Sequence, residues 1–286
     1  MRKIVFAIVI IATLIAATAV AQSDVNVTQV NDRRSSGHFA QLVIRLELPK
    51  IKTGDVAASR VLVSSAVDDS GASLIDTEAG EPQLEQNYQS PDPDMGKNPV
   101  SVAVNLKNPA RKVTKVKEVR GEVELYMPSK DANSIAEIPK FLSMSGKSLS
   151  HKALKANGVD IALVSPQQIA AEKKRLGDAK RKEYTASGWS GDDLESMVKT
   201  YTDDLFQTDE GDLLVKITDP NQRIQSINYV DATGDVKHVS RNDADGMTKF
   251  STWGEKPQPD WKLQVSLKTP KNTQRVPFVV RDVALP

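Results

Sequence analysis

His38, His151 and His238 are the only histidines in the chain, and there is no cysteine. Histidine is the side chain best suited to moving a proton or holding zinc near neutral pH. These three stand far apart, each in strand-like surroundings, and no local spacing joins one to a serine and an aspartate or to a second metal ligand. They are read as structural. The lack of cysteine closes disulfides, thiolate-bound zinc, thiol nucleophiles and a lipidated leader cysteine. No GxSxG, HExxH, phosphate-binding loop or strand-borne GxGxxG occurs.

Oxygen ligands for calcium are more abundant. Asp68-Asp69-Ser70-Gly71, Asp92 with Asp94, and Asn242 to Gly246 are acidic clusters. The last is the best imitation of a calcium loop. With Asp243, Asp245 and Gly246 set at loop positions 3, 5 and 6, position 1 falls on Arg241 and position 12 on Thr252, where the frame needs a bidentate glutamate. Asp and Gly are also ordinary turn residues. Glycoside hydrolysis needs two carboxyl groups across a cleft, and among 37 acidic residues nothing selects a pair. Trp189 is read as a helix staple, and Trp253 and Trp261, at strand ends, as core fillers rather than sugar platforms. No catalytic, cofactor-binding or metal-binding residue is assigned, and no cofactor.

The elements that would position such groups are mostly strands. Phe39 to Leu48, Val61 to Val67 and Val100 to Leu106 are rich in apolar and β-branched residues and stop at turn clusters. Residues 76–98 hold Gly80, Pro82, Pro91, Pro93 and Gly96 among few apolar residues, and read as an exposed excursion. The run 107–128 is basic at its start, with Lys107, Arg111, Lys112, Lys115, Lys117 and Arg120. From Val119 onward it alternates, with Val119, Gly121, Val123, Leu125 and Met127 on one parity and Arg120, Glu122, Glu124 and Tyr126 on the other. That is a half-buried strand with a charged outer face; Val113 and Val116 break the parity, so a bend or bulge is expected before Val119. Its cations are a solvated face, not a polyanion site.

Leu149 to Lys155 and Val159 to Ser165 read as two strands around an Asn157-Gly158 hairpin turn. Ser165-Pro166-Gln167-Gln168 is a capping box with proline at the first helical position. A second helix starts near Ser190, with Leu194, Met197, Val198, Tyr201 and Leu205 at helical spacing. Six basic and three acidic residues lie between Glu172 and Glu183, against one basic and eight acidic between Asp192 and Asp212. An antiparallel helical hairpin matches those charges. Further strands follow from Leu213 to Val283.

Residues 1–21 read as a cleaved signal peptide. Arg2 and Lys3 precede an apolar stretch from Ile4 to Ala17, and Ala19-Val20-Ala21 offers a small-residue cleavage site. The formal net charge of +1 falls by two when Arg2 and Lys3 leave. Near-neutrality argues against a nucleic-acid partner. No other segment is apolar over spanning length, so no membrane association is expected after cleavage.

Ile224-x-x-Ile-x-Tyr-x-Asp-Ala-Thr-Gly234, Lys262-Leu-x-Val-x-Leu267 and Val276-Pro-Phe-Val-Val-x-Asp-Val-x-Leu-Pro286 resemble the closing sandwich of uncharacterised secreted bacterial proteins. Ala66 to Leu74 and Leu106 to Gly121 resemble segments of the same group. The resemblance covers about half of the chain. It implies export and a sandwich fold, and no activity.

The expected architecture is mainly β, with two Ig-like β-sandwich domains, 22–145 and 146–286, and a helical insertion at about 166–206 in the second. The expected role is that of an exported, non-enzymatic protein, periplasmic, cell-surface or extracellular, that binds a protein or envelope polymer. The contact regions expected are 76–98 and 166–206. A secreted glycan- or peptide-acting hydrolase with carboxylates assembled in space and a calcium-stabilised surface adhesin are the alternatives. Fold class does not decide among them.

Overall fold

Leu42, Ile44, Leu46 and Leu48 are buried while the residues between them are not, and Gln41–Lys52 is accordingly a strand, β2. The computed structural model describes residues 25–34, 40–77, 80, 82, 84–86, 94–209, 211–252 and 255–286. The expected leader, His38, Asp92 and Trp253 lie outside the described residues. The chain is mainly β. All strand pairs are antiparallel and form four sheets.

Sheet I joins β1 (Asn26–Arg33), β2 and β5 (Pro99–Leu106), in that order. Sheet II runs in the order β15 (Thr273–Ala284), β6 (Lys115–Tyr126), β3 (Ala58–Asp68) and β4 (Glu85–Gln86). One apolar cluster serves both, with Ile44 and Val104 from sheet I and Val123, Leu125 and Phe278 from sheet II. Sheet III is β11 (Val236–His238), β10 (Ile224–Val230), β14 (Lys262–Leu267) and β7 (Ile135–Pro139). Sheet IV is β12 (Ser240–Ala244), β13 (Met247–Ser251), β9 (Leu213–Thr218) and β8 (Asp160–Leu163). A second cluster serves these two, with Tyr229 and Val265 from sheet III and Ile161, Val215 and Phe250 from sheet IV.

The strands do not sort at residue 145. β7 pairs with β14, and β15 pairs with β6 along almost its whole length. Alternation specifies that a segment is a strand but carries no mark of which strand will lie beside it. The alternating stretch of β6 buries Val119, Gly121, Val123 and Leu125. The anticipated bulge is present, since Val67 and Asp68 on β3 pair with Glu118 and Val116. Gly121 sits where nothing larger fits: a Cβ there would stand 2.3 Å from the Leu62 carbonyl oxygen and 2.9 Å from Phe278 Cζ. The outer face departs from the expectation at Tyr126, which is buried, and at Glu124, which is buried between its register partners Arg60 and Arg275.

The Asn157-Gly158 pair closes a helix and not a hairpin. Lys152–Ala156 is a short helix, α1. The Gly158 N–H donates to the Lys155 carbonyl at 3.2 Å and the Val159 N–H to the Leu154 carbonyl at 3.0 Å. These are the two bonds of a Schellman stop, with Gly158 at φ +67. A positive-φ glycine serves either turn, so the dipeptide alone does not distinguish them.

Pro166–Ala186 is α2, and both arms of the Ser165–Gln168 capping box are made. Gly191–Phe206 is α3. Ser190 at its N-cap makes no side-chain capping bond, and Trp189 is 43% exposed instead of closing a staple. The buried stripe of α3 is Val198, Thr202 and Phe206, turned from the one expected, and Met197 is exposed. Lys173–Asp203 at 2.5 Å and Arg181–Glu195 at 2.8 Å pair the two helices by charge. A small apolar cluster of Leu176, Phe206, Leu214 and Met247 packs the hairpin on sheet IV.

Candidate functional site

Of the residues singled out by chemistry, His151 and Trp261 serve the fold. His151 caps α1, its Nδ1 accepting from the Ala153 N–H at 3.2 Å. His238 ends β11 and is exposed. Trp261 is buried in the core of sheets III and IV beside Tyr229, which stacks on Phe141 with centroids 5.3 Å apart. The Tyr229 hydroxyl is buried without a hydrogen-bond partner among the described residues, and burial pushes its pKa up.

The two fully described acidic clusters are turns whose carboxylates have protein partners. Asp68 accepts from the Ser70 hydroxyl at 2.7 Å and from the Ser70 and Ala72 N–H groups at 2.9 Å. Those bonds, the Ser70 hydroxyl first, outweigh burial and hold its pKa below the usual value. Asn242 to Gly246 is a hairpin: β12 and β13 pair across Asp245 and Gly246, both at positive φ. Asp243 accepts from Thr248 and Arg241, and Asp245 accepts from the Tyr201 hydroxyl. Burial, and then that carboxylate, push Tyr201 up to about 12. Among the described residues no three His, Asp or Glu side chains converge as a metal site. The six cations of the 107–120 run are partly matched: Lys115 meets Asp282 at 2.5 Å, and Arg120 meets Glu118 at 2.5 Å. Arg120 and Arg281 together hold Glu118 at about 2.

Three hollows open on the described surface. A crevice of about 250 Å³ lies between α3 and the β12–β13 hairpin, lined by Tyr201, Asp204, Asn242, Asp245 and Lys249. A larger cleft of about 530 Å³ lies along β5. That volume is in the range of ordinary ligand sites. Ser101, Ala103 and Asn105 of β5 form one side, with Arg45 of β2 behind them. Val61 and Val63 of β3 and Ile75 give an apolar inner wall; all three pack against the sheet I–II core yet are only partly buried. Asp76, Gly80, Pro82 and Glu85 form the far wall, where the Pro82 carbonyl accepts from Arg60 at 3.3 Å. On the outer face of sheet I a shallower hollow of about 270 Å³ continues from Arg45, Ala103 and Asn105 to Gln29, Asn31 and Gln41.

The cleft exists because β5 is an edge. Among the described residues it pairs with β2 and with no other strand. Just past its end, the Lys107 N–H donates to the Leu74 carbonyl at 3.0 Å, on the side away from β2. Strand alternation puts the N–H and C=O of Asn105, Ala103 and Ser101 on that same side. Among the described residues no backbone bond reaches them. Arg45 has no ion-pair partner among the described residues. Of the contact regions expected, the 76–98 excursion supplies a wall of this cleft, and α3 supplies a wall of the smaller crevice. Arg45, Ala103 and Asn105 carry no chemical motif; the one signal available is that Val100 to Leu106 alternates without a single charge.

Comparison of the chain with protein families, curated proteins and solved structures returns no match. No described helix is long and apolar enough to cross a membrane.

Proposed function

We propose that the protein is an exported, non-enzymatic binding protein, and that the cleft along β5 holds its partner, a protein or envelope polymer. The observation that carries this is the cleft itself: an open strand edge, an apolar wall and Arg45, which has no ion-pair partner among the described residues, converge on one volume. Binding sites combine apolar area with a few placed polar groups in this way. The paired sheets, I with II and III with IV, are read as two Ig-like β-sandwiches, supported by their separate cores. The α2–α3 hairpin is an insertion in the second. The reading includes cleavage of residues 1–21 and no nucleic-acid partner.

The test is a thermal-shift screen of the full chain against soluble glycans, peptidoglycan fragments and peptides. A ligand at 100 times its Kd adds about 2.7 kcal/mol of stability. Arg45→Glu is expected to reduce the shift without lowering the melting point of the free protein. A shift indifferent to every cleft substitution would move the site elsewhere, and turnover of the bound polymer would overturn the non-enzymatic reading.

A further inference from the structure

Every other sheet edge in the described structure is short, charged, bulged or carries proline. β4, β8 and β11 have two, four and three residues. β7 has five residues, with Glu137 and Pro139. β12 carries Arg241 and Asp243. β1 is bulged between Val27 and Gln29 and ends on Asp32-Arg33. β15 is long but carries Pro277, Arg275, Arg281 and a left-handed Asp282 at φ 52. These are the devices that keep edges from pairing with stray strands. β5 has eight residues, no charge, and proline only at its first position.

We propose that β5 is an acceptor edge that binds an extended peptide as an added strand. This rests on the reading of the β5 cleft as the binding site and names its occupant. The N–H and C=O groups of Ser101, Ala103 and Asn105, unbonded among the described residues, supply the backbone bonds. Alternate side chains of an added strand point to opposite faces. Inward ones meet Val61, Val63 and Ile75, so apolar residues suit them. An outward one beside Ala103 meets Arg45, the register partner of Ala103, so an acidic residue suits that position. Asp76, Gly80, Pro82 and Glu85 give the cleft a second side, so it holds one strand and not the edge of another whole sheet.

The test uses the full chain and two short synthetic peptides. Both have valine at alternate positions; one has glutamate at its centre and the other lysine. The glutamate peptide is expected to bind more tightly. Methylation of its backbone nitrogens on the pairing side is expected to weaken binding about tenfold or more, since each lost bond is worth about 1 kcal/mol. Ala103→Pro is expected to do the same from the protein side. The Ala103 N–H faces away from β2, so the proline breaks no existing ladder bond. If its melting point falls, the methylated peptide still carries the test. Hydrogen exchange at Ala103 and Asn105 is expected to slow when the glutamate peptide binds. Peptide binding that ignores methylation and Ala103→Pro yet falls with Arg45→Glu would overturn strand addition and leave the cleft as the site. Glycan binding in the cleft with no peptide binding would do likewise. A dimer abolished by Ala103→Pro would replace the peptide with a second copy. Binding indifferent to all cleft substitutions would overturn both readings.

Discussion

Gly121 in sheet II and Gly177 in the helical hairpin are both buried, and they ask opposite things of their surroundings. Gly121 lies under Phe278 and against the Leu62 carbonyl, so a methyl group has nowhere to go. Gly177 faces Thr202 Cγ2 and Val198 Cγ1, each 3.6 Å from where a Cβ would stand, an ordinary contact. The regions differ in the same way. Sheet II is held by a dense core and a buried carboxylate between two guanidiniums. The hairpin is held by a small apolar cluster and ion pairs open to water. Burial of a residue does not say whether its site is tight; the atoms that a larger side chain would meet do.

The comparison breaks first at Gly121→Ala, expected to cost about 3 kcal/mol or more by overpacking against backbone. Urea unfolding reads it, and a loss under about 1 kcal/mol would show that β3 and β15 can move apart. Glu124→Gln comes next. It strips the charge from a side chain 3% exposed that meets Arg60 at 3.1 Å and Arg275 at 3.0 Å. A cost of about 2 kcal/mol is expected, below that of a fully buried pair because Arg275 is 58% exposed. Gly177→Ala carries the opposite sign. It is expected to raise stability by up to about 1 kcal/mol through helix propensity; a lowered melting point would mean that the hairpin is packed as tightly as sheet II.

Acid sharpens the contrast with the smallest effect. Lys173 and then Lys199 hold Asp203 at about 2, and Glu118 in sheet II sits at about 2 beside Arg120 and Arg281. Both folded values lie below the unfolded ones. Their contributions are therefore present above about pH 4 and lost as the pH falls toward 2. Amide exchange in α2 and α3 is expected to quicken more over that window than exchange in β6 and β15, which a large apolar core also holds. Salt at neutral pH is expected to act on the hairpin in the same direction.

Local features were legible in the sequence. Ser165 and Gln168 announced α2 because a capping box is complete within four residues. Val119 to Leu125 announced a half-buried strand because alternation is a property of one segment. Asn157-Gly158 misled because the same backbone freedom closes a hairpin or a helix. Glu124 was expected to be wet, since strand parity cannot foresee that Arg60 and Arg275 arrive from residues 64 and 151 positions away. The β5 cleft was hidden for a similar reason. An open edge is defined by the strand that is not beside it, and Val100 to Leu106 reads the same at an edge or in a sheet centre.

The pairing of β15 with β6 also sets a schedule for synthesis. β6 has one neighbour in β3, made earlier, and the other in residues 273–284, made some 150 residues later. Until Phe278 emerges, Gly121 lacks the aromatic ring that lies against it and β6 lacks one of its two strand neighbours. Sheet II, which begins with β3, is thus the last to be completed, and β6 keeps one edge unpaired until the final segment of the chain has been made.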